Sequence, residues 1–345
     1  MTDTALSTED GRPALRIART LRHPVAKVWR ALTEPSELNQ WFPFEVETAL
    51  AVGAEVRFVD KHGGPTGTGT ITELDPPRLL GYSWEGDHLR WELSPAAGGS
   101  LLVLTHTVAD RFGAASFASG WHACLDGLES VLADRPVGPP GDLDAAHEHW
   151  LAEFGLAEPE VTDGPDGWRI RFERQLVRPA DLAWRELVAT GPTPSEGGPD
   201  SGAGGSASAV SGPGSEAGRA SQEPAVGGAL PEPAVGGALP GPAVGDPVPA
   251  GALIGQPGGP RNADLTAGRI TELVAAEVLA YSWLAEGAST GQVRWELGQG
   301  TGHGARLILT LTGPPEPAAA RTAALTGAQQ RIATLATALR HTPRP

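Results

Sequence analysis

The chain of 345 residues has a single cysteine, Cys124, so it cannot close an intramolecular disulfide, and such a chain suits a reducing compartment. Basic residues are scarce relative to acidic ones: 26 Lys and Arg stand against 41 Asp and Glu, a net charge of -15 with a pI near 5.0. Such a surface repels polyanions, which excludes nucleic acid as an expected partner. No apolar run approaches the roughly 20 residues that span a bilayer, and the opening MTDTALSTEDGRP has no apolar core of a secretory signal. The expectation is a soluble, cytoplasmic protein without membrane insertion. There is no HExxH, no spaced set of cysteines and no GxSxG around Ser83. The glycines of GGPTGTGT lead into a strand rather than a helix, so they make no phosphate loop. Neither a metal nor a cofactor is expected.

Aromatic residues are missing from one long interval. All 10 Trp, both Tyr and all 7 Phe lie outside Glu186 to Glu272, so the middle of the chain has nothing large to bury. Within it runs a Gly, Pro, Ala and Ser tract with the tandem nonapeptides EPAVGGALP, EPAVGGALP and GPAVGDPVP, Glu223 to Pro249. Such a composition cannot offset its ordering entropy, and residues 190–249 are expected to be a disordered insertion.

What is present is said twice. GTITELDPPRLLGYSW, Gly69 to Trp84, is echoed by GRITELVAAEVLAYSW, Gly268 to Trp283. RIARTLRHPVAKVWRAL (16–32) pairs with RFERQLVRPADLAWREL (171–187), RWEL recurs at 90–93 and 294–297, and SLLVLTHT (100–107) answers ARLILTLT (305–312). The blocks keep their order, so a domain-sized unit is duplicated. The domains expected are 1–157 and, split by the insertion, 165–189 plus 250–345.

Periodicity assigns the blocks. ALRIARTLR alternates as a half-buried strand, and PVAKVWRALT then places Val25, Val28, Trp29 and Leu32 on one helical face. PSELNQWF predicts a second short helix, and six strand-length segments follow with Gly, Pro or Asp between them. Their short connections imply an antiparallel meander. Residues 116–135 carry Trp121, Leu125, Leu128 and Leu132 at helical spacing. The pattern is α+β, a curved antiparallel sheet around a long C-terminal helix with an apolar cleft between them. Copy two lacks an equivalent of PSELNQWF and the strand after it; GALIGQPGGP (251–260) lines up with VRFVDKHGGP of copy one.

With these blocks assembled, the first 155 residues resemble the START-like, helix-grip superfamily, in the branch named after the activator of heat-shock-protein-90 ATPase. HPVAKVWRALTEPSELNQWF, YSWEG, RWELSP…GGSLLVLTHT, GWHACLDGLESVL and HWLAEFG carry the likeness. It implies a seven-stranded antiparallel sheet wrapped round a C-terminal helix with a hydrophobic cavity between them, and no single activity. Copy two resembles the family in part.

Candidate cavity residues follow from strand and helix faces: Trp41 and Phe42 on the helix found in copy one alone, Phe58, Tyr82, Trp84 and Trp91 on the strands, His106 on the last strand, and Trp121 and Leu125 on the long helix. A buried Tyr82 phenol needs a hydrogen-bond partner that a ligand could supply. His106 is Leu311 in copy two, so the fold does not require imidazole there. His147 and His149 are two apart, on different faces of a helix, a poor metal pair. Cys124 has no base or cation within a helical turn except His122 and reads as a buried thiol. No catalytic set emerges. The leading expectation is a non-enzymatic protein holding a hydrophobic or amphipathic small molecule in copy one. The alternatives are a protein-interaction or co-chaperone module, and an enzyme using His106 or His122 with Tyr82.

Overall fold

The structure is a computed structural model, and it describes residues 2–61, 65–189, 242–249, 252–254, 266–285, 288–302, 304–315 and 318–344. Copy one is built on an eight-stranded antiparallel sheet. The chain opens with a hairpin, β1 (Thr2–Glu9) and β2 (Arg12–Leu21), turned by Asp10 and Gly11, both at positive φ. An Asp-Gly pair with two left-handed residues matches the twist of its flanking strands. Pro24 then caps α1 (Val25–Thr33), which buries Val28, Trp29, Ala31 and Leu32, and Pro35 starts α2 (Pro35–Trp41). The sheet resumes with β3 (Phe44–Thr48), β4 (Glu55–Asp60), β5 (Pro65–Asp75), β6 (Leu79–Trp84), β7 (Asp87–Ala96) and β8 (Gly99–Thr107). β8 returns to pair with β2, giving the order β1-β2-β8-β7-β6-β5-β4-β3. A single 3-10 turn, Arg111–Gly113, leads into α3 (Ala114–Leu132), which packs Trp121, Leu125 and Leu128 onto the sheet. α4 (Leu143–Glu153) follows, with the Asp142 side chain accepting from the Ala145 N–H at its start.

The second sheet has six strands: β9 (Glu160–Gly164), β10 (Gly167–Gln175), β11 (Thr266–Val274), β12 (Val278–Ala285), β13 (Ala288–Gln299) and β14 (Ala305–Gly313), ordered β11-β12-β13-β14-β10-β9. α5 (Ala180–Leu187) follows β10 and α6 (Ala318–His341) follows β14. The repeat holds at the level of single residues. Ile71 pairs with Tyr82 and Ile270 with Tyr281; Leu80 pairs with Trp91 and Leu279 with Trp295; both β5–β6 and β11–β12 slip register just after that isoleucine. Leu176 and Leu187 share a core with Ile254, Tyr281, Trp295 and Leu335, so segments on either side of the tract build one interior.

Several expectations need correction. The sheet of copy one has eight strands rather than seven, because β1 pairs with β2 along its length. The second sheet begins at Glu160 with β9, upstream of the expected start at 165. The disordered insertion was expected to reach residue 249, yet 242–249 form a turn on β11: the Gly245 N–H donates to Ile270 O, and Pro247 bridges Arg269. The rest of that insertion lies outside the described residues. The alignment of GALIGQPGGP with VRFVDKHGGP also fails. It would give Leu253 the place of the fully buried Phe58, whereas Leu253 is 38% exposed and Ala252 and Ile254 point inward.

Candidate functional site

α2 lies over the sheet because Trp41 is anchored at both ends. Its indole N–H donates to Ala31 O at 2.8 Å, and its ring meets Trp91 edge-on at 6.1 Å. Beneath α2 and beside β3 and β4 is a cavity of about 100 Å3, lined by Leu38, Trp41, Phe42, Leu80, Tyr82 and Trp91 and further by Leu32, Thr33, Pro35, Val46, Thr48, Leu50, Val56 and Ile71. Among the described residues none that lines it carries a charge. The space is well short of the ~300–1,000 Å3 typical of drug-sized ligands.

Of the candidate residues, Trp41, Phe42, Tyr82 and Trp91 meet at this cavity; Phe58, Trp84, His106, Trp121 and Leu125 do not line it. Those five fill the interior around it. Phe58 stacks on Trp84 at 4.2 Å, Phe42 packs against Phe58, Trp84 and Trp121 at 6.0 to 6.4 Å, and Leu125 is fully buried among them. The broad aromatic cleft is therefore mostly closed by its own side chains. The lining residues Leu38, Val56, Ile71 and Leu80 were not singled out in the sequence, since nothing separates a cavity wall from an ordinary core aliphatic there.

Tyr82 and Trp91 hold the only side-chain to side-chain hydrogen bond of the lining. The Trp91 indole N–H donates to the Tyr82 hydroxyl oxygen at 3.3 Å, and both groups are buried. Burial raises the phenol's pKa well above its usual value, so it stays a neutral donor. Among the described residues no acceptor lies within hydrogen-bond distance of its own proton.

The groups weighed for chemistry are occupied by structural tasks. His106 Nδ1 accepts from the Trp121 indole N–H at 3.0 Å, which leaves Nε2–H to donate to Asp87 at 3.1 Å. Its one basic nitrogen is thus taken, and the pair orients Trp121. His122 accepts from Arg19 on Nδ1 at 3.2 Å, bonds Thr4 through Nε2 at 3.0 Å and stacks flat on Trp150 at 4.7 Å. Burial, and then the Arg19 charge, lower its pKa to about 4. Burial pushes the Cys124 thiol up to about 11. His147 is buried and His149 exposed, and among the described residues no cluster of three or more His, Cys, Asp or Glu could hold a metal.

With this geometry in hand, comparison with known proteins adds one decisive match. Residues 22–133 match the family model described as activator of Hsp90 ATPase homolog 1-like protein. The likeness to the AHSA1-like family is carried by this segment, about a third of the chain. The match runs from just after β2 to the end of α3 and takes in the whole cavity wall. Solved structures similar to the chain include CalU16 from Micromonospora echinospora, at 28% identity over 44% of this chain and 94% of that one, with a TM-score of 0.38. EF2215 from Enterococcus faecalis, a conserved protein of unknown function, is 25% identical over 44% of this chain and 90% of that one, with a TM-score of 0.39. An AHSA1-like protein from Aeromonas hydrophila is 20% identical over 35% and 92%, with a TM-score of 0.32. No curated protein matches the chain. The AHSA1-like match supports a binding or co-chaperone-like module in general terms. Among the described residues no helix is long and apolar enough to cross a membrane.

Proposed function

We propose that the AHSA1-like domain is a non-enzymatic binding module that holds a small neutral apolar molecule under α2. The observation that carries this is the uncharged cavity of about 100 Å3 beneath a helix that only copy one possesses among the described residues. A charged ligand would lose its hydration there without a countercharge, at a cost of several kcal/mol or more. The reading against catalysis rests on the same geometry: His106 is bonded on both nitrogens, His122 is neutral near pH 7, and Cys124 is a protonated thiol. Native mass spectrometry of freshly purified full-length protein tests the proposal. A retained small mass is expected, and Leu80→Trp, which fills the cavity, removes it. Bare protein that also fails to bind any apolar probe saturably would end this reading.

A co-chaperone-like role has its own support in the β3–β4 turn, where Leu50, on the cavity lining, and Val52 are 42% and 63% exposed. Val52→Ser, outside the cavity lining, would weaken capture of a protein partner while leaving small-molecule binding in place; unchanged capture counts against it.

A further inference from the structure

The two copies differ in what their shared tyrosine and tryptophan hold. Tyr281 and Trp295 occupy the strand positions of Tyr82 and Trp91, in the same pairing register. In copy two the Tyr281 hydroxyl donates to the carbonyl oxygen of Ala252 at 2.8 Å, and the Trp295 indole N–H donates to that same oxygen at 3.2 Å. The Tyr281 oxygen also accepts from the Ile254 N–H at 3.2 Å. Ala252 and Ile254 are buried at this point, so the chain itself supplies a peptide carbonyl between the two donors, with an apolar group on each side. In copy one the corresponding Tyr82 and Trp91 both line the cavity, no backbone carbonyl is bonded to either side chain among the described residues, and the Trp91 indole N–H is given to the Tyr82 hydroxyl oxygen instead.

Resting on the binding role proposed above, we infer that the copy-one cavity takes a neutral apolar ligand bearing one carbonyl oxygen, a small ketone or amide group, held between the Tyr82 hydroxyl and the Trp91 indole N–H. Copy two is a covalently occupied version of the same site. Three features converge on this class. The Tyr82 hydroxyl proton has no acceptor among the described residues while the Trp91 indole N–H rests on the Tyr82 oxygen beside it, so a ligand acceptor there satisfies the hydroxyl and is within reach of the indole; a buried donor left without a partner costs about 1–3 kcal/mol. The lining carries no cation, which disfavours carboxylate or phosphate. The volume is smaller than the ~150 Å3 cavity known to accept benzene, so the enclosed part has roughly four or five non-hydrogen atoms.

Two probes with the same number of non-hydrogen atoms test it on the full chain: cyclobutanone and cyclopentane, followed through the indole N–H resonances. Binding of cyclobutanone should move the Trp91 indole proton downfield as it exchanges the 3.3 Å contact for a carbonyl, whereas cyclopentane should not, and Trp295 should respond to neither. Tyr82→Phe should weaken cyclobutanone about threefold to tenfold and leave cyclopentane unchanged, the size of one lost hydrogen bond. If cyclopentane binds but the ketone neither shifts Trp91 nor responds to Tyr82→Phe, the carbonyl inference is overturned while the binding role stands. If neither probe binds, both fall. The unmodified protein's Trp91 response keeps the test decisive even where a variant fails to fold.

Discussion

Histidine in this molecule is mostly scaffold. His122 sits between Arg19, Thr4 and Trp150 and has its pKa lowered to about 4, against roughly 6.5 in an unfolded chain. Above pH 6.5 it is neutral in both states and costs nothing. As pH falls from 6.5 toward 4 the unfolded chain takes up a proton that the folded one refuses, so stability is lost over that window. His88 and His147, lowered chiefly by burial, act in the same direction. Urea midpoints should therefore drop between pH 7 and 4.5, and His122→Gln should flatten that decline; an unaltered slope would show the ring is not the group responsible. Phe42, fully buried between Trp41, Phe58, Trp84 and Trp121, is among the largest fully buried side chains. Phe42→Ala should cost about 3–5 kcal/mol by chemical denaturation.

At the scale of elements, the repeated strands are framework. The glycine opening each echo, Gly69 and Gly268, has a structural reason: a Cβ there would overlap Ser83 O in copy one and the Ser282 side chain in copy two. Gly69→Ala should lower the stability of copy one by several kcal/mol, detectable as an earlier unfolding transition. Strand and helix order from β2 to α6, β9 excepted, was readable because alternation and helical spacing are strong in these segments. β1 was not, since TDTALSTE lies at the sheet's edge and its polar residues face solvent, hiding the alternation that the Asp-Gly turn should have announced. The cavity was legible only in part. Trp41, Phe42, Tyr82 and Trp91 stand out as aromatics, but whether aromatic faces enclose space or fill it depends on packing volumes that no spacing encodes.

At the scale of the whole molecule, the two copies are joined by charge. Arg306 of β14 reaches both carboxylate oxygens of Asp110 at 2.9 Å, bonds Glu173 at 2.7 Å and lies 4.2 Å over the Phe112 ring. Arg174 pairs with Glu148 at 2.6 Å and Arg178 with Asp144 at 2.8 Å, so β10 and the turn after it are held against α4. None of these pairs is visible without the fold, because their members lie far apart in the chain. β10 is hydrogen-bonded to β14 across the Gly, Pro and Ala tract, and closing such a long loop costs little more than closing a short one. Cleavage within residues 190–241 should therefore leave two fragments that co-elute on size exclusion, whereas separation under native conditions would contradict a shared sheet.

The central claim is that one enclosed site is open in copy one and self-occupied in copy two. Xenon is the most direct probe, since it enters dry apolar cavities and needs no polar partner. Crystals of the full chain held under xenon pressure should show one ordered xenon among Leu38, Leu80, Tyr82 and Trp91, and none beside Tyr281 and Trp295. Xenon at both places, or at neither, would contradict the account.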